Sequence, residues 1–199
     1  MKKLIYCTFF ILAFATANAQ QNSDLLAFNQ LRLQKTQKAM TILGGWAVVN
    51  IGAGIALQAN SSGEDKYFHQ MNAIWNGINL AIALPGYFGA RRTDPASFDY
   101  WQTVEETHKF QKILLFNAGL DLGYVAGGAY LWERGKNQAE IDDQDRFKGW
   151  GKSMMLQGGF LFVFDVITAW ALSRDNPKLR NLMGGLSFNG NELGFKLRF

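Results

Sequence analysis

A chain of 199 residues that is 48% hydrophobic and 14% aromatic, with a net charge of +4, is long enough for one domain with a sizeable core. Its single cysteine, Cys7, lies in a segment expected to be removed, so disulfides, thiolate metal sites, iron–sulfur ligation and cysteine nucleophiles are all excluded from the processed chain. The basic residues are spread among polar segments without an aromatic-interleaved patch, which argues against nucleic acid and for charge at a membrane surface or in solution.

Residues 1–19 read as a secretory signal. "MKK" supplies the positive start, Leu4 to Phe14 the apolar stretch, and "ATANA" a small-residue cleavage site, so the mature chain is expected to begin at Gln20 in a bacterial cell envelope. The apolar stretch is shorter than the ~20 residues of a membrane span, which disfavours an uncleaved anchor. Residues 20–41, with "SDLLAFNQLRLQKTQK", predict an amphipathic lead-in helix that has Ser23 as N-cap and either lies on the membrane surface or extends the first span.

Residues 42–172 predict a four-helix membrane domain. Four apolar runs, 42–59, 73–90, 113–132 and 154–172, measure 18, 18, 20 and 19 residues, and none contains Lys, Arg, His or Glu. That length suits a hydrocarbon layer about 30 Å thick. Trp46, Trp75, Trp132 and Trp170 lie near the run ends, with Trp101 and Trp150 in the flanks, as in an interfacial aromatic belt. Gly119, Gly123 and Gly127 recur every fourth residue, a stripe expected to admit a neighbouring helix, and Gly52 with Ala56 forms a shorter one. Between the second and third runs, Asp94 and Pro95 predict a helix start that merges into the third span. Residues 173–199 form a tail in which "GLSFNGNELGFKLRF" predicts a β-hairpin turning at Asn189-Gly190. One hairpin cannot close a barrel, so the predicted class is all-α: an up-and-down transmembrane bundle with an amphipathic N-terminal helix and a short C-terminal hairpin. A soluble exported helical bundle is the alternative, kept open by a mean hydropathy of -0.08.

A cleaved signal puts both termini on the periplasmic side of the inner membrane and the loops 60–72 and 133–153 in the cytoplasm. Those loops hold six basic residues against twelve in the outer segments, a bias opposite to the positive-inside rule.

At about 1.5 Å per residue, Asn50, Asp121 and Asp165 lie about 10–12 Å from the outer end of their runs and Asn79 about 17 Å. Together they form an upper interior polar layer with one member per helix. Asn76 and Gln157, about 21–23 Å down, form a second. A charged carboxylate at mid-span costs about 2.5–3.5 kcal/mol, and no basic residue is available to pair with it. Asp121 and Asp165 therefore either hydrogen-bond to Asn50, Asn79 and Asn117 and fix which helices meet, or hold a proton or cation.

The stretches "MTILGGWAVVNIGAG" and "GEDKYFHQMNAIWNGINLAIA", with "NAGLDLGYVAGG" and "QGGFLFVFD" further on, resemble a family of uncharacterised exported or membrane proteins of Bacteroidota-type bacteria, a domain of unknown function. The resemblance implies a multi-helix membrane architecture and no activity. Within "FHQMNAIWNGIN", Asn72, Asn76 and Asn79 share one helical face by spacing.

An enzyme is not indicated. Glu105-x-x-His108 has the spacing of a di-iron pair, but the second pair and the interior glutamates such a site needs are lacking, so no metal and no cofactor are expected. No nucleophile elbow, phosphate loop or dinucleotide fingerprint occurs. The expected partners are the lipid bilayer and a second protein or a second copy of the chain.

Overall fold

The computed structural model describes the backbone of residues 2–183 and of two short segments beyond, with side chains over 22–182. Four long helices make up the body: α1 (Lys2–Gln58), α2 (Gly63–Arg92), α3 (Tyr100–Gly135) and α4 (Ile141–Ser173), followed by a short α5 (Asn176–Met183). Residues 2–43 contain no glycine or proline, and the lead-in continues without a break into the first run. Ser23 therefore lies inside a helix and is not its cap.

At the second turn the expected single start divides in two. The Asp94 carboxylate accepts from the Ala96 backbone N–H at 2.9 Å and caps only the 3-10 turn Pro95–Ser97. α3 is opened afresh by Asp99, whose carboxylate accepts from Gln102 N–H at 2.8 Å while the Gln102 amide oxygen accepts from Asp99 N–H at 3.0 Å. Gly63, with φ of 60°, lets the chain reverse from α1 into α2. Pro85 sits within α2 and withholds one backbone donor there. In the tail, Leu186–Phe188 pairs antiparallel with Leu193–Phe195. The expected turn at Asn189-Gly190 lies outside the described residues, and these two fragments do not establish the hairpin.

The helices pack as two antiparallel hairpins, α1 with α2 and α3 with α4, joined mainly through α2 against α4. Stretches within Asn22–Gln58 and Ile141–Leu182 are long and apolar enough to cross a membrane. α2 and α3 do not reach that measure, because Asn72, Asn76 and Asn79 dilute one and Asn117 and Asp121 the other.

Close approach is concentrated on glycines other than the predicted ones. A Cβ on Gly128 would lie 2.6 Å from the Gly151 carbonyl oxygen, and one on Gly151 would lie 2.5 Å from that of Gly128. One turn pair further along, a Cβ on Gly158 would lie 2.8 Å from the Asp121 carbonyl oxygen. The buried positions Leu114, Asp121, Gly128 and Gly135 on α3, and Gly151, Gly158, Asp165 and Leu172 on α4, recur every seventh residue, the spacing that keeps one seam facing its partner. By contrast, a Cβ on Gly119, Gly123 or Gly52 would meet nothing within 4 Å, and one on Gly127 only Met154 at 3.7 Å. The every-fourth stripe thus faces outward, because the true seam follows a seven-residue period. Gly149 plays the same part between hairpins, where a Cβ would lie 2.4 Å from the Glu64 carbonyl oxygen.

One end of the bundle is tied by Lys35, which donates to the Ala171 carbonyl at 2.9 Å and to the Asp175 carboxylate. Lys178 reaches the same carboxylate at 3.1 Å. Asp175 lies past the last apolar run. Burial would push its carboxyl up, but the hydrogen bonds from Lys35 and Lys178 outweigh that and hold it below its ordinary value of 3.8.

Two outcomes follow. Gly151→Leu should destabilise the protein by about 1–3 kcal/mol or more through overpacking, whereas Gly123→Leu should be tolerated; thermal unfolding in detergent measures both. Because the Asp175 carboxyl is depressed on folding, its contribution is present above the unfolded value and lost as pH falls through the folded one. Asp175→Asn should therefore lower the melting temperature at neutral pH, and its gap to the parent should close below about pH 4.

Candidate functional site: a polar interior and a carboxyl pair

The middle of the bundle is lined with amides. Asn76 and Gln157 are fully buried, with Asn72 and Asn79 nearly so. Gln157 accepts from the Trp46 indole N–H at 2.9 Å and donates to the Asn72 side-chain oxygen at 2.9 Å and to that of Asn50 at 3.5 Å. The Ser153 hydroxyl donates to the same Asn72 oxygen at 2.7 Å. Asn76 donates to the Asn72 carbonyl at 2.8 Å and accepts from Asn79 at 3.2 Å. This network joins α1, α2 and α4, and Asn72 is its hub. Each buried amide thereby meets the requirement that a polar group removed from water be partnered.

The two predicted layers are redistributed. Asn50, expected beside the aspartates, donates to its own helix at the Trp46 carbonyl, 2.9 Å away, and belongs with Gln157. Leu43, and not Asn50, is the α1 residue level with the aspartates, a displacement that a count from run ends does not capture. Asn79, Asp121 and Asp165 do come together, around a cavity of about 210 Å³ that Asn117 also lines. Asp121 is 3% and Asp165 5% exposed. Both aspartates line this one cavity, and no basic residue lines it with them. Asp121 Oδ2 has no hydrogen-bond partner among the described residues, so the expected bond to Asn50, Asn79 or Asn117 is not formed by that atom. A larger hollow, about 590 Å³, opens among Leu25, Phe98, Tyr100 and Leu182, but its carboxylate, Asp99, is already engaged in capping α3.

The tryptophans also divide. Trp46 stacks on Phe160 with ring centroids 3.8 Å apart, and Trp75 meets Tyr124 edge to face at 4.8 Å, so both serve inward contacts and not an interfacial belt. Trp132 lies under Lys136 and Trp170 under Arg174 near the helix ends. Glu105 and His108 lie on the exposed face of α3. The hub role of Asn72, the partnership of Ser153 and the inward use of Trp46 were missed. The four- and three-residue spacing of the asparagines was the signal that could have found the first.

Residues 42–166 match a family of unknown function (DUF6992). The chain belongs to this family. The match covers the helical core, from the first apolar run to Val166 just past Asp165, and carries no activity. Nothing among curated proteins or solved structures matches the chain. Family membership thus bears out the resemblance in its sequence part, while the bacterial group and the membrane location are not part of the match.

Replacing Gln157 by leucine should leave the Trp46 indole N–H without an acceptor and cost about 1–2 kcal/mol. Thermal unfolding of the purified variant measures this, and an unchanged melting temperature would show that the network carries no weight.

Proposed function

We propose that the chain is an integral membrane protein that acts as a structural or partner-binding module, with all four helices embedded. One observation carries this: the bundle is inverted in polarity. Asn76, Ser153 and Gln157 are fully buried, whereas Val49, Ile55, Ile78, Phe116 and Ile167 are each more than half exposed. Every one of those exposed side chains lies within an apolar run. In water this arrangement would forfeit the main driving force of folding, but in lipid it is the favourable one. α2, weaker as a span alone, is carried by α4, whose Ser153 and Gln157 satisfy Asn72. The reading includes signal removal before Gln20 and both termini on the periplasmic side of a bacterial inner membrane. Alkaline carbonate extraction tests it: the mature protein should stay in the pellet, and release into the supernatant would return the soluble exported bundle.

A second reading makes Asp121 and Asp165 a proton or cation site. The placement of both aspartates at one cavity without a basic residue, and the unpartnered Asp121 Oδ2, support it. Asparagine keeps the shape and most of the hydrogen bonding but cannot change charge. If the pair is only structural, Asp121→Asn with Asp165→Asn should leave the protein inserted, folded and functional in the cell. If the pair titrates, the double variant should insert normally and lose its phenotype.

A further inference from the structure

We propose that the cavity around Asp121 and Asp165 binds a small lipophilic ammonium ion, which enters sideways from the bilayer between α2 and α3. The proposal rests on the membrane reading above and gives the carboxyl pair a ligand class.

Charge comes first. The four apolar runs contain no Lys, Arg or His, so no side chain within them can neutralise the two carboxyls. The titratable groups at the cavity are Asp121 and Asp165 with the Tyr124 phenol. α1 contributes Leu43 to the wall, and α2 contributes Trp75, Ile78, Asn79 and Ile82. An anion is excluded and a cation is the complementary guest.

Size and lining decide which cation. At about 210 Å³ the space is several times the ~30 Å³ share of one water molecule. A bare alkali ion would also need a shell of oxygens, yet much of the wall is hydrocarbon from Ile78, Ile82, Leu120 and Phe164. An ammonium with an apolar body fits both parts. Its N–H groups meet Asp121 Oδ2, the acceptor that lacks a donor, and its body meets the hydrocarbon wall. The Trp75 and Tyr124 rings offer π faces and edges beside the charge.

Access follows from packing. α2 and α3 share no packed seam, and Trp75 against Tyr124 bridges them. Ile78, Ile82 and Leu120 line the cavity and are also 58%, 56% and 42% exposed, so the wall between cavity and surroundings is the thickness of these side chains. A lipophilic amine concentrates in the phase those side chains face. On binding, the ammonium takes the position of one carboxyl proton, which leaves to water. The charge within the bundle is then unchanged, and the large cost of adding a net charge at that depth is avoided.

Calorimetric titration of the detergent-solubilised full-length protein with benzylammonium tests this, with benzyl alcohol as the uncharged probe of like size and empty micelles as the blank. Saturable binding of benzylammonium is expected, at least tenfold tighter than the alcohol, with release of about one proton per cation, read from the dependence of the heat on buffer ionisation. Asp121→Asn with Asp165→Asn should weaken it tenfold or more, and Trp75→Leu severalfold. Equal binding of benzyl alcohol, or unchanged affinity in the double variant, would overturn the proposal. Should that variant not fold, the parent protein suffices: dicyclohexylcarbodiimide, which attacks protonated carboxyls from the apolar phase, should modify Asp121 or Asp165, and benzylammonium should slow the reaction tenfold. Modification without protection also overturns it. Failure of these tests in a protein that resists carbonate extraction removes the ligand alone, whereas release by carbonate removes the membrane reading as well.

Discussion

The backbones of α3 and α4 come within contact distance at Gly128 and Gly151, and each glycine occupies the space in which the other's side chain would have to stand. The rest of the interior follows from that approach. With the seam closed there and again at Gly158 against the Asp121 carbonyl, the next buried positions on each helix are held close, and these are Asp121 and Asp165. A methyl group at either central glycine would wedge the helices apart and separate the carboxyls. Dispersion attraction falls steeply with distance, and a gap of about half an ångström already forfeits a substantial share of the well depth, so a seam of this kind has little tolerance.

The second constraint is polar. An interior lined by hydrocarbon alone leaves the rotation of each helix weakly specified, and here amides specify it. Asn72 accepts from both Ser153 and Gln157, which fixes the rotation of α2 relative to α4, while Trp46 fixes α1 on the same glutamine. Glycine closeness supplies the contact and the amide network selects which faces meet. At one end, Lys35 on α1 and Asp175 after α4 hold the first helix to the close of the last, beyond the apolar runs.

Four long helices, their order and, within a few residues, their C-terminal ends were legible from the apolar runs, and the inward face of α2 was legible from the spacing of its asparagines. Their starts were not: α2, α3 and α4 open at Gly63, Tyr100 and Ile141, ahead of runs that begin at 73, 113 and 154. The seam was not. A glycine every fourth residue is the more visible pattern, but Gly119 and Gly123 point away from every neighbour, and the pattern that packs, Gly128 with Gly135 and Gly151 with Gly158, is spread over two turns and two helices. Depth counted from run ends paired Asn50 with the aspartates because it assumed level helices. In the structure Leu43 is the α1 residue at that level, so Asn50 meets Gln157 while Asn79, Asp121 and Asp165 stay together. Capping was read one step early for a similar reason: Asp94 and Asp99 both cap, and the sequence does not say which opens the long helix.

The hairpin arrangement also sets an order of assembly. Each hairpin closes on local glycine contacts, Gly54 on the His69 backbone in the first and Gly128 on Gly151 in the second, so either can form as soon as its own two helices exist. Asn72 is different, since its side-chain partners Ser153 and Gln157 arrive some eighty residues later along the chain. During synthesis the first hairpin must therefore wait with a polar side chain unmatched, and a chain stopped before α4 would keep that side chain unmatched permanently. Such an orphaned asparagine would chemically distinguish an unfinished copy from a finished one.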